Sequence, residues 1–321
     1  LPRSVAPLPA AAGLASADAP ASAASAAAAP VVMAPVKAAR PPWSGKQLRG
    51  MDGDALLRRM VGACLDQVEP NAAAIARGSR DPGHVHQLRV GLRRLRSAAR
   101  GMAPFAVAMP HGWEPAVRPV FDALGQSRDA FIRASELAPK LRAAGAACVD
   151  DVPPSEEAAR ALAQRVGSAA FAGAVQRLRA FAEAAPDRVP GEDGSGLARL
   201  VGRLRKLNRQ VTRLAGHFDE LPFEAQHRAR KRLKRLRYLA EFAAPAFASG
   251  DVRRWLRRVS DAQDALGRHI DRVRAGRHYA ELAAGRPDAW FAVGWLRAKS
   301  ERSARAARKA LLRLRDADGF W

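Results

Sequence analysis

The sequence predicts an all-α fold built from a duplicated helical unit. Two observations predict it. From about residue 52 onward, apolar residues recur at helical spacing, with no convincing period-two alternation. One basic pattern also occurs twice, from His86 to Arg96 and from His227 to Arg237, each copy followed by Asp-Ala-Leu-Gly at 122–125 and 264–267. The histidines lie 141 residues apart and the acidic stretches 142 apart, and two matches at nearly one offset are what a duplication leaves.

The elements follow in order. Residues 1–42 are rich in Ala and Pro and poor in large apolar side chains. Such a segment cannot bury enough surface to offset chain entropy, so it reads as disordered or as an interdomain linker at the start of the C-terminal part of a longer protein. A signal peptide fits poorly, because Pro7 and Pro9 interrupt any apolar run after Arg3. Residues 43–321 form the helical domain, with a first repeat at about 50–185 and a second at about 195–321. Asp52 or Asp54 caps a helix carrying Leu56, Met60, Cys64 and Leu65 on one side. Asp81-Pro82-Gly83 leads into the first basic helix, and Pro104 and Pro110 bracket its exit. Helices are expected at 113–134 and near 135–145, before an acidic, Pro-containing break at 149–155. Further helices are expected at 156–184, 195–218, 222–248, 250–280 and 289–315, with Gly/Pro/Asp clusters at 186–196 and 285–288.

Charge narrows the function. Lys and Arg number 54 against 31 Asp and Glu, a formal net charge of +23. Self-repulsion of that size points to an acidic partner: nucleic acid, an anionic membrane surface or an inorganic polyanion. Aromatics make up only 6% of the residues, too few for base-stacking platforms. No apolar run is long enough to span a bilayer. Cys64 and Cys148 have no neighbouring partner in the sequence and read as buried or free thiols of a reducing, cytoplasmic compartment.

On a helix, residues three and four apart share a face. His86, Arg89, Arg93, Arg96 and Arg100 follow that spacing, with Leu88, Leu92, Leu95 and Ala99 as the adjacent apolar stripe. In the second copy the cationic row is His227, Arg230, Lys234 and Arg237, beside Ala229, Leu233, Leu236 and Ala240. Successive cations then stand about 5 Å apart along the axis, so a chain of phosphates meets a donor at each turn. Arginine gives a planar fork to phosphate oxygens, and lysine adds a mobile point charge. A histidine among arginines resists protonation until a polyanion arrives, which predicts proton uptake on binding. Arg203, Lys206, Arg209 and Arg213 extend the basic surface on the preceding helix, and Arg253, Arg254, Arg257 and Arg258 surround Trp255 and Leu256. The basic residues of the last helix, from Arg297 to Lys309, read as a solvated face. His111, His217, His269 and His278 read as core or cap residues. Asp129 and Asp271 can pair with arginines of the basic helices or ligate a divalent cation; ion pairs are favoured and no metal is expected, because the ligands are not clustered.

The run His86-x-x-Arg89-x-x-x-Arg93-Arg94-x-Arg96, the later Leu124-Gly125-x-x-Arg128-Asp129, and the second run His227-x-x-Arg230-Lys231-Arg232-x-Lys234-Arg235-x-Arg237-Tyr238 resemble the CHAD family, the conserved histidine α-helical domains. The resemblance covers about residues 50–321 and includes the closing Gly319-Phe320-Trp321. It implies two four-helix bundles, related by a pseudo-twofold axis, around a basic groove or pore. It implies binding of inorganic polyphosphate and association with bacterial polyphosphate granules. Its ligand-contacting set falls on His86, Arg89, Arg93, Arg94, Arg96, His227, Arg230, Lys231, Lys234, Arg235 and Arg237. Ala130-Phe131-Ile132 and Ala229 depart from the family pattern in ways that touch packing more than charge. Many members follow a triphosphate-tunnel enzyme domain, but the Glu-x-Glu-x-Lys motif of that domain is absent from this sequence.

The expectation is a polyphosphate-binding module without catalysis or cofactor. The alternatives are a nucleic-acid-binding helical protein and an accessory domain of a triphosphate- or polyphosphate-processing enzyme. The sequence shows no helix-turn-helix, zinc-finger or RNA-recognition motif. A phosphoanhydride hydrolase needs a metal or nucleophile that the basic rows do not supply.

Overall fold

The computed structural model describes residues 34–103, 109–147, 149, 155–185 and 195–321. All regular structure among them is helical. The first half contains α1 (Gly45–Gly50), α2 (Gly53–Ala76), α3 (Pro82–Met102), α4 (Trp113–Ile132), α5 (Ala138–Ala143), α6 (Glu156–Val166) and α7 (Ala169–Glu183). The second contains α8 (Gly196–Thr212), α9 (Phe223–Ala243), α10 (Ser249–Leu282) and α11 (Ala289–Arg315).

Local chemistry sets the boundaries. The Asp52 carboxylate accepts from Ala55 N and starts α2. Asp81 caps α3 with Pro82 in its first turn, where a missing N–H costs nothing. The segment read as one helix over 156–184 is two: Gly167 ends α6, and the Ser168 hydroxyl, accepting from Phe171 N, starts α7. The helices expected at 113–134 and 135–145 are joined by a π turn at Arg133–Leu137, where Ala138 N donates back to Arg133 O. Pro139 follows at once and has no N–H for a regular α turn, so the wider turn takes up the mismatch. The expected helix at 195–218 closes in a 3-10 turn, Ala215–Glu220.

The two halves pair their helices in the same order. In the first, α2 packs on α3, α3 on α4, and α6 and α7 cover α2 and α4. In the second, α8 packs on α9, α9 on α10, and α11 covers α10. The unbroken α11 thus stands where the first half uses the α6–α7 pair. Helices α3 and α9 meet each other and join the halves. Leu88, Leu92, Leu95, Leu233 and Leu236 are fully buried, so the apolar stripes face one core and the cationic rows are turned away from it. Phe320 and Trp321 close the second half edge-on to Trp255, at 5.4 and 4.8 Å between ring centres. A smaller apolar cluster joins α5 to the C-terminal part of α10 and the start of α11.

Of the segment read as a linker, residues 34–42 are described, and they lie along this body: Val36 N donates to Asn71 Oδ1 at 3.1 Å, and Asn71 Nδ2 returns a bond to Val36 O at 2.8 Å. Cys64 is buried and free, its thiol pushed up to about 12 by burial. Cys148 lies outside the described residues, as do Pro104 and most of the 149–155 break.

Two glycines test the packing in opposite directions. A Cβ at Gly91 on α3 would stand 2.8 Å from Cγ2 of buried Val68 on α2. A valine in a helix has one strongly preferred rotamer and cannot swing away. Gly202 on α8 has open space around its Cβ position. Gly91→Ala is expected to destabilise the fold by about 1–3 kcal/mol through overpacking. Gly202→Ala is expected to stabilise it by about 0.5–1 kcal/mol through backbone entropy. Urea denaturation midpoints check both.

Candidate functional site

The cationic rows of α3 and α9 converge where the halves meet. His86 and Arg93 from α3 and Arg230, Lys234 and Arg237 from α9 line an open cavity of about 1140 Å³. Arg128 of α4 and Arg268 of α10 join the wall, and so does Arg40 from the segment before α1. Glu241, Asp264 and Asp271 are the acids facing it. Cations therefore outnumber anions around a space large enough for an extended ligand.

Electrostatics inside this cluster oppose the charges gathered there. Burial, reinforced by Arg93, lowers Arg89 to about 10, and Asp129 offsets only part of that; the group is still protonated near neutrality. Burial lowers Arg230 against the opposing field of Asp271. Lys234 is pushed well below its usual range, first by burial and then by Arg93, Arg230 and Arg89. Burial and the neighbouring Arg128 and Arg93 lower His86. Burial and the charges of Lys231, Arg274 and Arg230 take His227 from 6.5 to about 4. Arg274 donates to its Nε2 at 3.3 Å, which fixes that nitrogen as an acceptor and the ring as neutral. Several donors are also unspent: Arg89 Nη1, Arg230 Nε and Arg94 Nε are buried with no hydrogen-bond partner. A buried donor without an acceptor is costly. A ligand rich in oxygen acceptors relieves both the unmet bonds and the repulsion.

The duplicated Asp-Ala-Leu-Gly segments support this cluster from α4 and α10. A Cβ at Gly125 would fall 2.7 Å from Arg89 Nη1, and one at Gly267 would fall 3.7 Å from Arg230 Nη2. Each glycine opens its helix surface to the arginine of the neighbouring basic helix. Asp271 holds Arg230 at 3.2 Å, the expected ion pair. Asp129 instead pairs at 3.1 Å with Arg274 of α10, across the two halves, so its partner is not on a basic helix. Its field still reaches Arg89 and Arg230.

The remaining expected site residues separate into groups. Arg94 is 2% exposed; it donates to Gln67 Oε1 at 3.3 Å and stacks on Phe242, so most of its side chain braces the core. Arg237 bonds Glu241 at 2.9 Å and Gln263 at 3.1 Å. Arg96 and Arg100 both grip Glu114, at 2.8 and 2.6 Å. Burial would raise the Glu114 carboxyl, but these two arginines outweigh it and hold it below the usual range. Arg235 belongs to this second cluster: burial and the charges of Arg100, Arg203, Arg232 and Arg96 lower it. Lys206, Arg209, Arg213 and Lys231 are exposed and outside the cavity wall.

Among the histidines given structural roles, His269 is buried between Gln226 and Ser303, at 2.8 and 3.2 Å, whereas His111 and His217 are exposed. Four participants were not anticipated: Arg40, Arg268, Arg274 and Phe121. The Phe121 ring lies 5.5, 5.9 and 5.0 Å from the guanidinium carbons of Arg89, Arg93 and Arg96. It stands one turn before Gly125 on the same face of α4, and that spacing is the signal in the sequence that finds it.

Among the described residues, no group of three or more His, Cys, Asp and Glu is placed to hold a metal ion, and no helix is long and apolar enough to cross a membrane. The family model of the CHAD domain matches residues 59–280. The crystal structure of the CHAD domain from the plant Ricinus communis superposes with a TM-score of 0.70 at 26% sequence identity, covering 87% of this chain and 96% of that one. No curated protein matches this sequence. With both basic helices inside the matched segment, which spans more than half of the chain, and 87% of the chain covered by a solved CHAD domain, the chain belongs to the CHAD domain family.

Proposed function

We infer that this protein binds inorganic polyphosphate in the cavity between α3 and α9 and performs no chemistry on it. The observation that carries the reading is the buried, unbonded Nε of Arg230 in the cavity wall, beside Lys234 and His86 whose charging is suppressed, with the unbonded Nη1 of Arg89 behind that wall. Charge-assisted hydrogen bonds to phosphate oxygens would satisfy those donors, and release of counterions from the polyanion would add a strongly salt-dependent term. The same binding would hold the protein on polyphosphate granules. A role without catalysis is supported by Asp129 and Asp271, the acids a metal-assisted hydrolysis would draw on, being engaged by Arg274 and Arg230.

Calorimetric titration with long-chain polyphosphate, beside single-stranded DNA at equal phosphate concentration and near-physiological salt, tests the reading. Tight polyphosphate binding with weak DNA binding is expected. Equal affinities would reduce the site to generic positive charge.

The double variant Arg89→Ala/Arg230→Ala is expected to weaken polyphosphate binding by about a hundredfold or more, since each lost charged hydrogen bond is worth about 1.5–3 kcal/mol. Arg302→Ala/Arg305→Ala on exposed positions of α11 should stay within about twofold of the parent. Equal losses in the two pairs would refute the site.

His227 is neutral in the free protein down to about 4. A polyanion in the cavity offsets the field of Arg230 and Lys234 on this ring and raises that value, so binding takes up a proton and affinity rises as pH falls toward about 4. Titrations in two buffers of different ionisation enthalpy should reveal the uptake, and His227→Gln should reduce it.

A further inference from the structure

Residues 34–43 form a strap fastened at both ends, and its middle, residues 38–41, lines the basic cavity. At one end the backbone N–H and C=O of Val36 exchange two hydrogen bonds with the side-chain amide of Asn71 on α2. Pro35 also lies so close to Gly83, at the start of α3, that a Cβ there would meet Pro35 Cγ at 2.6 Å. At the other end Trp43 is buried, stacks on Phe242 of α9 at 6.0 Å and donates from Nε1 to Phe242 O at 3.3 Å. The two anchors belong to different halves of the fold. Between them, Ala38, Ala39, Arg40 and Pro41 form part of the cavity wall, while exposed Lys37 does not. The family-model match begins at residue 59, within α2, so the strap lies outside the segment that the family model matches.

We propose that Arg40 is a ligand-contacting residue, delivered by the strap, that adds a cation to the phosphate-binding wall. This rests on the polyphosphate reading and adds to it a position outside both basic helices. Tethering at both ends and the stiff Pro41-Pro42 pair limit the freedom Arg40 loses when it engages a ligand. A polyanion in the cavity attracts its charge. The added contact slows the departure of the bound chain.

The test is titration of the full chain with inorganic polyphosphate at several salt concentrations, using Arg40→Ala, Arg40→Lys, Lys37→Ala and Arg93→Ala. Arg40 and Lys37 are exposed, so these substitutions leave the core intact. Arg40→Ala is expected to weaken binding by about three- to tenfold, to speed dissociation, and to lower the log–log salt slope by about one. Arg40→Lys should recover part of the affinity, and Lys37→Ala should change it by less than about twofold. Arg40→Ala binding like the parent, beside a weakened Arg93→Ala, would overturn the strap and leave the polyphosphate reading intact. Equal losses for Arg40→Ala and Lys37→Ala would assign both to the diffuse field and also overturn it. Unchanged binding in every variant, Arg93→Ala included, would overturn the strap and the polyphosphate reading together.

Discussion

Like-charge repulsion at the meeting of α3 and α9 is the constraint around which the rest of the molecule is arranged. Arg89, Arg93, Arg230 and Lys234 approach one another in a partly desolvated space, where their mutual interaction is stronger than in water. The leucine stripes on the inner faces of both helices hold the rows in place. Neighbouring charge is then distributed to soften the repulsion: Asp271 against Arg230, Asp129 against Arg274, and the Phe121 ring beside three guanidinium groups. What remains uncompensated is free to be satisfied by a ligand. The same depression of His227 works against folding in mild acid: an unfolded histidine near 6.5 takes a proton that the folded site refuses, so stability falls as pH drops from 6.5 toward about 4.

Much of this was legible in the sequence because helices advertise themselves through periodic patterns. The caps at Asp52 and Asp81, the leucine stripes and the repeat all follow from residue type and spacing. The split at Gly167-Ser168 was also written there, but apolar spacing on either side reads through a break that short. The π turn before Pro139 depends on how the chain accommodates one missing donor, which spacing alone does not resolve.

The site was legible as a pair of rows and less so as an enclosure. Spacing places His86, Arg89 and Arg93 on one face, and Arg230 and Lys234 on another, but it does not say that the faces meet. Nor does it show that Arg94, in the middle of the first motif, turns inward against Phe242 and Gln67. Arg274 carries no motif, and its place between Asp129 and His227 arises only when α10 packs against the first half. Arg40 sits in a stretch of composition typical of linkers, and tertiary contacts at Val36 and Trp43 decide its position.

The two motif glycines differ in how much change each tolerates. Gly125 is pressed directly against Arg89, whereas Gly267 leaves ordinary van der Waals clearance to Arg230. A methyl group at 267 fits the space that exists; the same group at 125 displaces a guanidinium from its seat. Position 125 is closed sterically by its arginine, while position 267 keeps room to vary. Among related sequences, residue identity should therefore be held more tightly in the first repeat than in the second, even though both sit in the same four-residue motif.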